Sequence, residues 1–85
     1  MNKIQFLTMP GCHSCEEVKK TFDEIMPNYE GKVEVEEIDM TTEAGQELVQ
    51  KYSVLASPGI VINDELFSTG GVNKEKLVEK LDTLS

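Results

Sequence analysis

Thr8-Met9-Pro10-Gly11-Cys12-His13-Ser14-Cys15 is the stretch that decides how the rest of the chain is read. It holds both cysteines of the 85-residue sequence, three positions apart. An apolar run, Ile4-Gln5-Phe6-Leu7, leads into it, and a run of helical periodicity from Glu16 to Met26 leads out. A Cys-x-x-Cys at a strand-to-helix junction near the start of a small βαβ pattern points to dithiol redox chemistry. The physical reason is local. A sulfur at the start of a helix faces backbone N–H groups that lack intrahelical partners, and the positive end of the helix dipole adds to their field. Both favour thiolate, and such a setting lowers a cysteine from about 8.5 to about 3.5–7.5. One turn further on, Cys15 falls within the roughly 4.4–6.8 Å Cα separation that a disulfide accepts. Cys12 is therefore expected to be the exposed attacker and Cys15 the shielded resolver.

Two other readings compete for the pair: unrelated buried thiols, or a two-thiolate metal site. Tetrahedral zinc takes four ligands, whereas the chain offers two Cys and a single His, His13, wedged between them. As an imidazolium, His13 can stabilise the Cys12 thiolate and make the disulfide more oxidising; its plainer reading is a solvated first-turn residue. Met9, Met26 and Met40 read as core or groove fillers, with Met9 close enough to the thiols in sequence to touch substrate. Glu34, Glu36 and Glu37 read as solvated edge-strand charges rather than acid–base groups.

Composition narrows the function classes. The length suits one small domain, spanning residues 1–85. The formal net charge is −8 and all eight basic residues are lysine, which speaks against a nucleic-acid footprint. No apolar run approaches the roughly 20 residues of a membrane span, and the N-terminus enters a strand pattern with no signal-peptide core. The expected setting is the cytoplasm, where a cysteine pair is more often catalytic than structural.

Along the chain, Lys3–Thr8 reads as a strand apolar on both faces, suited to the middle of a sheet. Cys12 to about Met26 reads as a helix with Val18, Phe22, Ile25 and Met26 on one face. It should stop before Pro27, with Asn28-Tyr29-Glu30-Gly31 as turn chemistry. Lys32–Ile38 reads as a charged edge strand. Its alternation slips at Glu37-Ile38, predicting a bulge or strand end. Thr41 or Thr42 caps a second helix with Ala44, Leu48 and Tyr52 on its apolar face and Gly45 as a weak point. Ile60–Ile62 is a short buried strand, Asn63-Asp64 a hairpin turn, and Glu65–Ser68 the returning strand, broken by Gly70-Gly71. Asn73 caps the last helix, with Val72 and Leu77 at hydrophobic-staple spacing and Leu77, Val78, Leu81 and Leu84 as its stripe.

This β-α-β-α-β-β-α order, with Thr8-Met9-Pro10-Gly11-Cys12-His13-Ser14-Cys15, then Ser57-Pro58, then Gly70-Gly71, resembles the thioredoxin/glutaredoxin family over the whole chain. The resemblance implies an α/β thioredoxin fold, with a four-stranded mixed sheet ordered second–first–third–fourth. It implies a cis Ser57–Pro58 bond facing the thiols, so that the backbone of Ser57 can pair with an extended substrate. It also implies a shallow groove of Met9, Pro10, Gly11, Ser57, Pro58, Gly70 and Gly71 for protein disulfides. No cofactor is implied beyond the redox-active Cys12–Cys15 disulfide, and no metal.

Within the family the chain looks most like the minimal thioredoxin-like proteins of archaea and bacteria. Glutaredoxins usually place the glycine pair closer to the proline, although Thr8-Met9-Pro10-Gly11-Cys12 itself looks glutaredoxin-like. Gly11 stands where full thioredoxins carry a tryptophan, and Phe6 where they carry a buried acid that moves protons to the resolving cysteine. The resemblance implies a monomer reduced by a thioredoxin-reductase-type flavoenzyme. A glutathione-dependent glutaredoxin is the nearest alternative; an iron–sulfur, metal-binding or redox-sensing module is the more distant one. Against glutathione stand the absence of arginine and Met9 in place of the lysine many glutaredoxins carry there. In its favour, Gly70-Gly71 with Asn73 offers backbone N–H groups for one carboxylate, and Lys51 is a candidate for the other.

Overall fold

In the computed structural model, which describes residues 2–84, the alternation of the first strand sorts the molecule into two packing faces. β1 (Asn2–Thr8) sends Ile4 and Phe6 to one face and Leu7 to the other. On the first face, α1 (His13–Ile25) and α3 (Lys74–Leu84) cover Ile4, Phe6, Ile60 and Ile62 with Val18, Phe22, Ile25, Leu77 and Leu81. On the second, α2 (Glu43–Tyr52) covers Leu7 and Val61, joined by Met40 and Val54. Phe6 and Phe22 meet edge to face, centroids 5.3 Å apart; fully burying a side chain such as Phe22 contributes about 1.5–3 kcal/mol.

The sheet is completed by β2 (Val33–Asp39), β3 (Gly59–Ile62) and β4 (Glu65–Thr69). Its order is β2-β1-β3-β4, with β2 parallel to β1, and β3 antiparallel to both β1 and β4. This is the expected mixed thioredoxin-like sheet. Sandwiched between strands and between helix layers, β3 is buried at every position. β2 lies at the edge, as its charges predict, and Lys3 reaches across to Glu36 at 3.0 Å. That hydrogen bond and charge raise the Lys3 pKa above the ordinary lysine value. Asn63 and Asp64 both adopt positive φ (49° and 66°), the primed turn that matches strand twist. Asn73 Oδ1 accepts from Lys76 N at 3.1 Å, capping α3 as expected.

Four local expectations are corrected. After Pro27 the chain does not loosen into a turn: Met26–Tyr29 forms a 3₁₀ helix with Pro27 in its first turn, where a missing N–H costs nothing. Tyr29 is buried there, and its hydroxyl donates to the Asp82 carboxylate at 2.7 Å. That hydrogen bond, and secondly burial, raise the phenol's pKa. Of the two readings of the slip at Glu37-Ile38, the bulge is excluded, because the β1–β2 ladder runs unbroken from Asn2↔Val33 to Thr8↔Asp39, and the strand ends there, one residue past Ile38. The apolar face of α2 is rotated by one residue: Ala44 is exposed, while Gly45, Leu48, Val49 and Tyr52 face inward. Gly45 is no weak point, since a Cβ there would overlap the Asp39 carbonyl oxygen and sit 2.8 Å from Met40 Cα.

Candidate active site

The end of β1, the start of α1 and the loop before β3 converge on the two sulfurs. Gly11 takes φ +74°, a left-handed conformation that suits glycine, and this turn brings the chain off β1 into the helix. Cys12 is the N-cap of α1 with extended backbone angles, one position before the helix proper. Its Sγ accepts a hydrogen bond from Cys15 N at 3.1 Å. The sulfur thus occupies the place of a capping oxygen, facing otherwise unpartnered amides. Cys12 and Cys15 are joined as a disulfide, Cα atoms 5.2 Å apart. Their environments differ. Cys12 is half-buried, whereas Cys15 is 3% exposed and packs in the main core.

The loop Ser53–Pro58 supplies the other wall. α2 ends at Ser53, whose φ of 54° turns the chain back, with Val54 N bonded to Val49 O at 3.0 Å. Val54 is buried and packs against Gly59, where an added Cβ would approach Val54 Cγ1 to 2.7 Å. That contact fixes the loop between them. The Ser57–Pro58 bond is cis, and Ser57 Oγ lies 3.5 Å from Cys12 Sγ. Pro58 O in turn accepts from Gly70 N at 2.9 Å, drawing the glycine pair to the same end of the molecule.

Most of the residues singled out in the sequence therefore meet at this end. Met9 and Gly11 line a hollow with the two cysteines, and Pro10 is exposed next to them. Gly71 is held by Ser68, whose hydroxyl donates to its carbonyl at 2.9 Å. His13 is at the first helical position, its side chain 85% exposed and its Nε2 3.4 Å from Glu17. No hydrogen bond joins it to either sulfur among the described residues. Lys51, considered for a carboxylate, lies instead over the Tyr52 ring on α2.

Sequence reasoning passed over two features. Leu55 is 92% exposed, three residues before the cis proline; its signal was an apolar side chain in a loop with no periodicity to bury it. The pairing of Lys19 with Glu37, exposed residues that line the hollow with the two cysteines, is the other, 3.9 Å apart; its signal was the broken alternation at Glu37. Among the described residues, no group of three or more His, Cys, Asp or Glu could hold a metal ion, and no helix is long and apolar enough to cross a membrane.

Residues 2–83 match the model of the thioredoxin domain family. A thioredoxin of Methanocaldococcus jannaschii is 33% identical over 79 residues, covering 93% of this chain and 91% of that protein. A probable thioredoxin of Methanothermobacter marburgensis is 30% identical over the same shares. In fold, a thioredoxin-like protein of Clostridium perfringens superimposes with a TM-score of 0.85 at 20% identity, covering 100% of this chain and 71% of that one.

Proposed function

The chain belongs to the thioredoxin family, as a thiol–disulfide oxidoreductase, and from that premise we propose that it reduces protein disulfides, with Cys12 attacking and Cys15 resolving. The observation that carries this assignment is the asymmetry of the pair: Cys12 caps α1 with its sulfur on the Cys15 amide, while Cys15 is core. The Cys12 thiolate attacks one sulfur of a substrate disulfide. A Cys12–substrate bond forms, and the other substrate sulfur leaves with the electron pair. Cys15 then attacks Cys12, forming the intramolecular disulfide and releasing the second substrate thiolate. The substrate is reduced by two electrons and the dithiol oxidised by two. The carrier is the cysteine pair itself, with no metal or prosthetic group.

The groove of Met9, Pro10, Gly11, Ser57, Pro58, Gly70 and Gly71 takes an extended segment of the substrate, which pairs with the Ser57 backbone. Exposed Met9 and Leu55 favour a protein over a small polar disulfide. The chain works as a cytoplasmic monomer, rereduced by a thioredoxin-reductase-type flavoenzyme. Its −8 charge and lack of arginine disfavour glutathione, an anionic tripeptide.

The test is a paired turnover assay with a protein disulfide as substrate. One arm supplies NADPH and such a flavoenzyme; the other supplies glutathione and glutathione reductase. Turnover is expected in the flavoenzyme arm. Turnover with glutathione alone would move the protein to the glutaredoxins, and a visible chromophore in anaerobically purified protein would point to cluster binding instead.

A further inference from the structure

The sheet has two open edges, and they differ. β4 is five residues long, and its register with β3 is irregular between Ile60 and Val61, a break that makes an edge a poor template for another strand. β2 is seven residues long and in unbroken register with β1. Asn2 N donates to Lys32 O, and Met40 N donates to Thr8 O. The even-numbered residues of β2 therefore turn their backbone groups toward β1, and Val33, Val35 and Glu37 turn theirs outward.

The side chains along that edge are of two kinds. On the α1 side, Val33 is buried and Val35 packs on the main core. They share a shallow hollow of about 470 Å³ with Asp23, Met26, Pro27 and Glu30, and no lysine lines it among the described residues. On the opposite side stand Glu34 and Glu36, both exposed. Lys3 pairs with Glu36 and Lys19 with Glu37. Glu34, Asp23 and Glu30 have no ion pair among the described residues. Such an edge repels a second copy of itself. β2 laid on β2 sets Glu34, Glu36 and Glu37 against the same three residues, and like charges facing each other across strands destabilise the pair. It suits a strand of the opposite charge.

We propose that the outer edge of β2 binds an extended segment of a partner protein in which basic and β-branched apolar residues alternate. The segment's backbone pairs with Val33, Val35 and Glu37 and adds a further strand to the sheet. Its apolar side chains fall on the α1 side, over Met26, Val33 and Val35. Its basic side chains fall on the other side, against Glu34 and Glu36. The net charge of −8 assists the approach of such a segment. At its C-terminal end β2 reaches Glu37 and Asp39; both line a hollow with Met9, and Glu37 lines another with the two cysteines. A partner docked on this edge is thus held beside the redox site. Docking uses neither sulfur, so the proposal stands apart from the roles of Cys12 and Cys15.

The probe is a capped octapeptide of alternating lysine and valine, added to the oxidised full chain. Binding is measured by isothermal titration calorimetry, and amide hydrogen exchange by NMR. One control peptide replaces the lysines by glutamates. A second keeps the lysines and valines but has its backbone amides N-methylated, which preserves the charge and removes strand pairing. Only the lysine–valine peptide is expected to bind. At about nine times its Kd, exchange at the Val33, Val35 and Glu37 amides should slow about tenfold, the factor 1 + [L]/Kd, while β4 amides are unchanged. Glu34→Lys should weaken binding at least about threefold, since it trades an attraction for a repulsion at the edge. Glu65→Lys makes the same change in net charge three strands away, beyond the screening length, and should change binding less than about twofold. Three results overturn the proposal: no binding at millimolar peptide, equal binding of either control peptide, or protection on β4 in place of β2. A dimer in sedimentation equilibrium that shields the same three amides without peptide assigns the edge to a second copy and overturns it too.

Discussion

The two walls of the redox site are built on different principles. The Met9–Cys15 wall works through side-chain chemistry: a capping sulfur outside, a shielded one inside. The Val54–Pro58 wall works through backbone shape. Its approach to Cys12 runs through Ser57 Oγ at 3.5 Å, a long contact, and its position comes from buried Val54, Gly59 and the Pro58–Gly70 bond. The lesson is that side-chain chemistry is carried by residues that cannot be exchanged, whereas shape is carried by residues that are exchangeable only where there is room.

Substitutions in the first wall should have the largest effect. Cys12→Ser is expected to abolish disulfide reduction altogether, since the hydroxyl is no nucleophile at neutral pH. Cys15→Ser should retain attack but not resolution, so that mixed disulfides at Cys12 accumulate and are recovered by mass spectrometry. Equal loss without trapped adducts in Cys15→Ser would break the division between the sulfurs.

Gly59→Ala tests the second wall by shape. Its Cβ would press on Val54 Cγ1 at 2.7 Å, and Val54 is both buried and stiff at χ1. We expect destabilisation of about 1–3 kcal/mol, the range for overpacking, read by urea denaturation. Turnover of a protein disulfide should fall as well, while second-order attack by Cys12 on a small disulfide is largely kept.

The smallest effect should come from Ser57→Ala. A sulfur–hydroxyl contact of 3.5 Å is weak, and a net hydrogen bond of ordinary strength contributes about 0.5–1.5 kcal/mol. Turnover should change less than about threefold, measured as kcat/KM on a protein disulfide. A loss as large as that of Cys12→Ser would show that the second wall also acts through side-chain chemistry.

The same contrast explains what could be read from the residues alone. Element order, sheet order, the edge position of β2, the Asn63-Asp64 turn and the meeting of Cys12 with Ser57 and Pro58 all follow from local pattern and family resemblance. Tyr29 was hidden because its partner, Asp82, is 53 residues away and its neighbours have turn chemistry. Gly45 was misread because helix propensity knows nothing of an approaching β2 carbonyl. The neighbour of exposed Glu37 was missed because Lys19, 3.9 Å from it, belongs to α1 and Glu37 to β2. In each case the missing information lay in the relation between two distant segments.

Pulse alkylation of the reduced wild-type protein tests the asymmetry of the two sulfurs most directly. Iodoacetamide is added for short intervals across neutral pH, the reaction is quenched, and the modified cysteine is identified by peptide mass. Cys12 is expected to be labelled first, at pH values where ordinary thiols react slowly, with Cys15 protected until the protein unfolds. Labelling of Cys15 before Cys12, or of both at the rate of an ordinary thiol, would contradict the assignment of Cys12 as the attacking thiolate.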